Sequence, residues 1–174
     1  LIKRTALDDS TLMEHLAHPE FVFYNGKEYT LKLLIDSIEE DMFDVLQEFH
    51  HSYSMKAGMN KAELLQSLQK RFPKSLLDFV VENGITSGAF KRKEQFVSLA
   101  GFVPHVPKSW AKRAENLLQD LKKDGLKVRY LKDYFSAAGI PESIEYDLRK
   151  FLEDHQLLVQ LDDQFAYHGD VFRE

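Results

Sequence analysis

Residues 73–100 read PKSLLDFVVENGITSGAFKRKEQFVSLA, and the fold turns on how this stretch is parsed. Pro73 has a fixed φ and no amide hydrogen, which suits a helix entry, and Leu76, Leu77, Val80 and Val81 follow at helical spacing. Gly84 supplies a stop signal. Ile85 to Phe90 and Gln95 to Ala100 then read as two short strands flanking the charged tip Lys91-Arg92-Lys93-Glu94. A helix running straight into a hairpin is the unit to look for elsewhere in the chain.

Upstream, Leu31, Leu34, Ile38, Met42, Val45 and Phe49 recur at steps of three and four, one face of an amphipathic helix over Leu31 to His51 whose other face is acidic. After a turn containing Gly58, Asn60 can cap a short helix with Leu64, Leu65 and Leu68 inside. Three helices and a hairpin make the winged-helix order. Downstream, Trp110, Ala114, Leu117, Leu118 and Leu121 mark a long helix, Leu131, Tyr134, Phe135 and Ala138 a short one, and Ile144, Leu148, Phe151 and Leu152 a third. Gly139 and Pro141 separate the last two. Leu157, Val159 and Leu161 alternate as a strand, and Phe165 with Tyr167 begins its return. The order has repeated.

The copies agree in residue detail, and such self-similarity identifies repeated units better than propensity does. Val45-Leu46-Gln47-Glu48-Phe49 matches Leu117-Leu118-Gln119-Asp120-Leu121, and Phe72-Pro73-Lys74-Ser75-Leu76 matches Ile140-Pro141-Glu142-Ser143-Ile144. Val80-Val81-Glu82-Asn83 matches Phe151-Leu152-Glu153-Asp154, and Glu94-Gln95-Phe96 matches Asp163-Gln164-Phe165. Nearer the start, Phe21 to Tyr24, the turn Asn25-Gly26 and Lys27 to Leu31 form a hairpin, with Asn-Gly suited to a type I′ turn. Asp9 to Ala17 reads as the helix before it. The fold expected is mainly α with small β-hairpins, an α+β tandem of winged helices. Its parts are the helix and wing of a cut-off module over 1–31, then complete modules over 32–104 and 105–174.

A composition of 44% hydrophobic and 29% charged residues is that of a globular protein and names no function. The absence of cysteine excludes disulfides and thiolate metal sites. No signal-like or membrane-length apolar run occurs, so a cytoplasmic location without membrane association is the simplest expectation. A net charge of −5 argues against coating nucleic acid by bulk electrostatics, leaving only local contacts. The chain opens on Leu1 rather than Met, and an excised, monomeric fragment of a longer protein is expected.

The stretch Phe49-His50-His51 through Gly58-Met59-Asn60-Lys61-Ala62-Glu63-Leu64-Leu65 resembles a phrase in bacterial selenocysteine-specific elongation factors (SelB). There it closes the first helix of an internal winged-helix module. The resemblance continues through the wing ending Phe96 to Leu99, the long helix from Ser109, and the tail Phe165-Ala166-Tyr167-His168-Gly169-Asp170-Val171. Two features depart from it. The family loop is often proline-rich where this chain has Ser54-Met55-Lys56-Ala57, and the family's last, basic winged helix has no counterpart before the chain ends at Glu174.

The resemblance implies a translation factor whose other parts bind GTP and selenocysteinyl-tRNA. Its winged-helix arm tethers it to the messenger hairpin (SECIS) that recodes UGA on the ribosome. No G-x-x-x-x-G-K-[ST] phosphate loop occurs in this chain, so any GTPase activity belongs to the parent protein, and neither a catalytic site nor a cofactor is expected. The alternatives are a winged-helix scaffold that docks proteins and, third, a DNA-binding regulator.

Candidate RNA contacts are Lys91, Arg92 and Lys93 on the wing, between Phe90 and Phe96, where cations can reach phosphates and an aromatic can stack on an unpaired base. A solvated turn over two core aromatics is the plainer reading. Lys127, Arg129 and Lys132 surround Tyr130, with Lys108, Lys112 and Arg113 possible members of one basic face, and Arg149 and Lys150 are the only cations on the last helix. That helix also carries Glu142, Glu145, Asp147, Glu153 and Asp154, which would repel phosphate in a DNA groove. His50 and His51 point about 100° apart on a helix and do not make a two-ligand metal site; His15, His18, His105, His155 and His168 are scattered, and no metal is expected. Glu39, Glu40, Asp41 and Asp44 read as a solvated face. Phe102 and Trp110 flank the junction between the full modules, where Pro104 and Pro107 stiffen the chain.

Overall fold

Asp8 opens the first helix: its side chain accepts from the Thr11 amide at 2.8 Å and caps α1, Asp9–Leu16. The structure is a computed structural model, described over residues 8–26 and 28–172. Strands β1 (Phe21–Tyr24) and β2 (Glu28–Leu31) follow, and Asn25 and Gly26 both adopt positive φ as the Asn-Gly pair requires. Tyr24 pairs with Glu28, so the loop has three residues rather than the two of a type I′ hairpin, and Asn25 Nδ2 donates to Glu28 Oε2 at 2.8 Å across it.

Helix α2, Lys32–Ser52, carries the first body's core on Ile35, Ile38, Met42 and Leu46. The expected inward face was one step off at its start, since Leu31 and Leu34 are exposed. Leu31 is the last residue of β2, and α2 starts only at Lys32, which places Ile35 on the stripe through Ile38 and Met42. Tyr24 is buried in the same core, with its ring 5.8 Å from Phe79.

The next elements are β3 (Met59–Asn60), α3 (Lys61–Leu68), α4 (Lys74–Ser87), β4 (Phe90–Lys93) and β5 (Phe96–Leu99). Asn60 caps α3 by accepting from Ala62 N at 2.9 Å. The wing is a three-stranded sheet in the order β3-β5-β4, and β3 was not read from the sequence. The parse of residues 84–93 also changes. Gly84 lies inside α4, where a Cβ would enter the Phe90 ring, and the helix ends at Gly88, with φ +83°. Ile85 to Ser87 are therefore helical, Lys91-Arg92-Lys93 lie within β4, and the turn is Glu94-Gln95, with Glu94 at φ +55°.

A second core is built by α5 (Lys108–Asp124), α6 (Leu131–Ala137), α7 (Glu142–Asp154), β6 (Leu158–Gln160) and β7 (Ala166–His168), followed by a 3-10 turn at Gly169–Phe172. Its largest fully buried side chains include Leu117, Leu121, Tyr134, Phe135, Leu148 and Leu152, each of which stabilises by about 1.5–3 kcal/mol when taken out of water. Pro73, Pro107 and Pro141 precede α4, α5 and α7, and each offers its carbonyl to first-turn amides. In β6 the inward residue is Leu158, while Leu157, Val159 and Leu161 are exposed. The expected alternation was thus one residue out: Gln156 turns the chain at φ +57°, and Leu157 N still bonds back to Leu152 O.

The chain divides into two compact bodies, Leu1–His50 with Gly58–Phe102, and His51–Ala57 with Val103–Glu174. Residues 51–57 belong to the second because Met55 packs on its core, Ser54 O accepts from His105 N at 2.8 Å, and Lys56 lies 3.6 Å from Asp147.

Candidate nucleic-acid interface

The same backbone bond recurs in both bodies. Lys61 N, at the start of α3, donates to Gln95 O in the wing turn at 2.9 Å, and Leu131 N, at the start of α6, donates to Gln164 O at 2.7 Å. Each bond ties the helix it opens to the turn of the hairpin and leaves a niche beside the following helix. The acid-Gln-Phe phrase repeated in the sequence marks these turns, but its bonding partner was not legible from spacing.

The first niche, about 620 Å³, is lined by Asn60, Lys61, Gln66, Lys74, Asp78, Arg92 and neighbouring side chains. Its charges are largely satisfied internally. Lys61 Nζ lies between Asp78 and Glu82, and Arg92 Nη1 is 3.1 Å from the same Glu82 oxygen. Burial alone would lower the Lys61 pKa, but the hydrogen bonds to Asp78 and Glu82 outweigh it and raise the pKa above its ordinary value. Arg92 also donates to Glu94 O at 3.1 Å. Strand geometry puts Lys91 and Lys93 on the opposite face from Arg92. Both are exposed and, like Lys74, have no partner among the described residues, so they can reach a phosphate.

The second niche, about 400 Å³, brings together Tyr130, Lys132, Glu145, Arg149, Asp163 and Gln164. The Tyr130 ring stacks on Phe165 at 5.2 Å, and Lys132 Nζ is 5.8 Å from its centroid. Two of the cations singled out from the sequence, Lys132 and Arg149, thus converge beside an exposed aromatic. Cations beside an exposed ring are groups that single-stranded RNA recognition uses, but Glu145 and Asp163 share this niche and Glu153 lies 3.8 Å from Arg149.

The other sequence candidates lie apart. Lys127 is exposed, whereas Arg129 is bonded to Asp124 at 3.2 Å and lies over the Tyr134 ring. Lys150 pairs with Asp154 at 2.9 Å, an interaction that raises its pKa. Lys112 pairs with Glu115, and Arg113 donates to Gly139 O while lying over Trp110. Phe102 stacks flat on His50 in the first body at 3.6 Å, and Trp110 is half-buried in α5 of the second. Among the described residues no group of three His, Cys, Asp or Glu side chains is placed to hold a metal ion, and no helix is long and apolar enough to cross a membrane.

Known proteins bear on the first body. Residues 43–99 match the family model described as elongation factor SelB, winged helix. No curated protein matches the chain. The matched segment runs from the middle of α2 to the end of β5, which is the helix-helix-helix-wing unit described above. Over residues 43–99 the chain is thus similar to the winged helix of elongation factor SelB.

Proposed function

We propose that the chain is the middle of the winged-helix arm that links the GTPase and tRNA-binding part of a selenocysteine-specific elongation factor to the messenger hairpin (SECIS) during UGA recoding. In this reading residues 1–31 end a preceding winged helix, and 32–104 and 105–174 are two complete ones. GTP and selenocysteinyl-tRNA are held by other domains of the parent protein, and the arm works in the cytoplasm at the ribosome as a monomer without a cofactor. The observation that carries the reading is the match of residues 43–99 to the SelB winged helix, followed by a second body that also runs through three helices into a hairpin.

RNA contact is assigned to Lys91 and Lys93 on the first wing, which have no ion-pair partner among the described residues, and to Tyr130 and Lys132 at the second niche, with Arg149 beside them in a 3.8 Å pair with Glu153. Arg92, Arg129 and Lys150 take a smaller part, because ion pairs already engage them. Phe102 and Trp110 support the link between modules. The test is a gel shift comparing a messenger hairpin with duplex DNA of the same length. Preferential retardation of the hairpin, weakening steeply with salt, supports the arm; equal or stronger binding of the DNA would favour a DNA regulator. A protein-docking scaffold is the second reading, favoured by the acidic character of α7, which carries five carboxylates against Arg149 and Lys150.

A further inference from the structure

We infer that the outer face of α2 is a docking surface for a basic amphipathic helix of a partner protein. Leu33, Asp36, Glu40 and Phe43 follow one another at steps of three and four and share one side of the helix. The opposite side, through Ile35, Ile38, Met42 and Leu46, is locked into the core, so α2 cannot rotate to hide the first set. Leu33 is 79% exposed and Phe43 45% exposed. Single exposed apolar side chains are ordinary, but these two bracket a continuous acidic strip.

Two adjoining hollows run along this face and share Asp36. One, about 580 Å³, is lined by Leu31 and Leu33 with Pro19, Glu20, Lys32 and Asp36. The other, about 320 Å³, is lined by Asp36, Glu39, Glu40 and Phe43. Asp41, nearer the core side, is paired with Arg71 at 2.9 Å, whereas Asp36, Glu39 and Glu40 have no ion-pair partner among the described residues.

Apolar anchors separated by unneutralised carboxylates fit a helix that presents Leu-type residues along one stripe and Lys or Arg beside it. Nucleic acid does not fit, because the strip repels phosphate. A second copy fits poorly, because a two-fold contact would set the same carboxylates against each other. The surface is distinct from the wing and niche residues assigned to RNA, so the two assignments stand or fall separately.

The test uses the whole chain and a fluorescent synthetic helical peptide with leucines on one face and arginines flanking them. Its control is a shuffled peptide of the same composition without the apolar stripe. The patterned peptide should bind, and the double variants Leu33→Ser/Phe43→Ser and Asp36→Lys/Glu40→Lys should each weaken it by about tenfold or more. Unchanged circular dichroism would verify that both variants fold. Absence of binding, equal binding of the shuffled peptide, or insensitivity to either double variant would overturn the inference. So would concentration-dependent self-association of the chain that Leu33→Ser/Phe43→Ser abolishes, which would make the face a homodimer contact.

Discussion

The Leu99 amide donates to His50 Nε2 at 3.2 Å, joining the end of the wing to the end of α2 inside the first body. Accepting this bond requires Nε2 to be unprotonated, which puts the neutral ring's proton on Nδ1, a buried atom without a hydrogen-bond partner. Phe102 covers the ring face. A charged imidazole would lose the Leu99 bond and remain poorly solvated, and burial accordingly lowers the His50 pKa below its ordinary value of 6.5.

The first prediction follows from that bond. The unfolded chain takes up a proton near the ordinary histidine pKa while folded His50 resists it. The contribution is therefore complete above that pH and is lost as pH falls through it toward the lower folded value. Urea unfolding of the first body should show declining stability between about pH 7.5 and about pH 5.5. The His50→Leu variant should have a shallower decline, together with a loss of about 1 kcal/mol at neutral pH from the unpaired Leu99 amide. Identical pH slopes in the two proteins would contradict the assignment.

Gly84 supplies a prediction whose sign runs against propensity. In an open helix Gly→Ala gains about 1 kcal/mol. Here the new methyl would enter the Phe90 ring, so Gly84→Ala should cost about 1–3 kcal/mol by overpacking, and adding Phe90→Leu should recover part of the loss. Gly101→Ala, with open space around it, should be near neutral. Chemical denaturation of the four proteins checks this, and stabilisation by Gly84→Ala alone would be the opposite outcome.

Gly84 also marks the limit of what was legible in the sequence. The helix order, the Asn60 cap, the two cores and the repeat follow from apolar spacing and turn residues, because those reflect local backbone preferences and one buried face. The end of α4 does not follow, because a glycine conserving space for a ring six residues later looks the same as one that stops a helix. In β6 the period-two signal was right but its phase was not, since four of the five residues 157–161 are apolar and only the turn at Gln156 fixes which of them faces inward. For the site, Tyr130, Lys132 and Arg149 were each visible as residue types, yet their convergence depends on the tertiary bond between Leu131 and Gln164. The pairing of Arg92 with Glu82 likewise joins two elements that spacing alone does not relate.

Tyr134 carries a prediction in the second body. Its hydroxyl donates to Asp124 Oδ2 at 2.6 Å and accepts from Arg129 N at 3.1 Å, closing the loop that leads into α6. The Tyr134 hydrogen bond is the largest influence lowering the Asp124 pKa. Tyr134→Phe should cost about 1–2 kcal/mol in the second body's unfolding. It should also let the Asp124 carboxyl titrate nearer its ordinary range, read from its side-chain NMR shift. The native arrangement stabilises above that range and loses its contribution as pH falls through the lowered pKa. An unmoved Asp124 titration would show that the bond does not govern it.

The wing cations should not be equivalent toward RNA. Lys91→Glu/Lys93→Glu should weaken hairpin binding by about tenfold at low salt and flatten its salt dependence, as expected when phosphate contacts are removed. Arg92→Ala should do less, because Glu82 and the Glu94 carbonyl already hold the guanidinium. Filter binding across a salt series measures both, and a larger loss from Arg92→Ala would reverse the assignment.

The arm's role rests most directly on where an RNA hairpin touches the chain, and NMR shift mapping during a hairpin titration reads this residue by residue. Perturbations are predicted at Lys91 and Lys93 and around Tyr130, Lys132, Arg149 and Gln164, fading as salt rises. A hairpin that leaves these positions unmoved at low salt, or that perturbs the acidic face of α2 instead, would contradict the account.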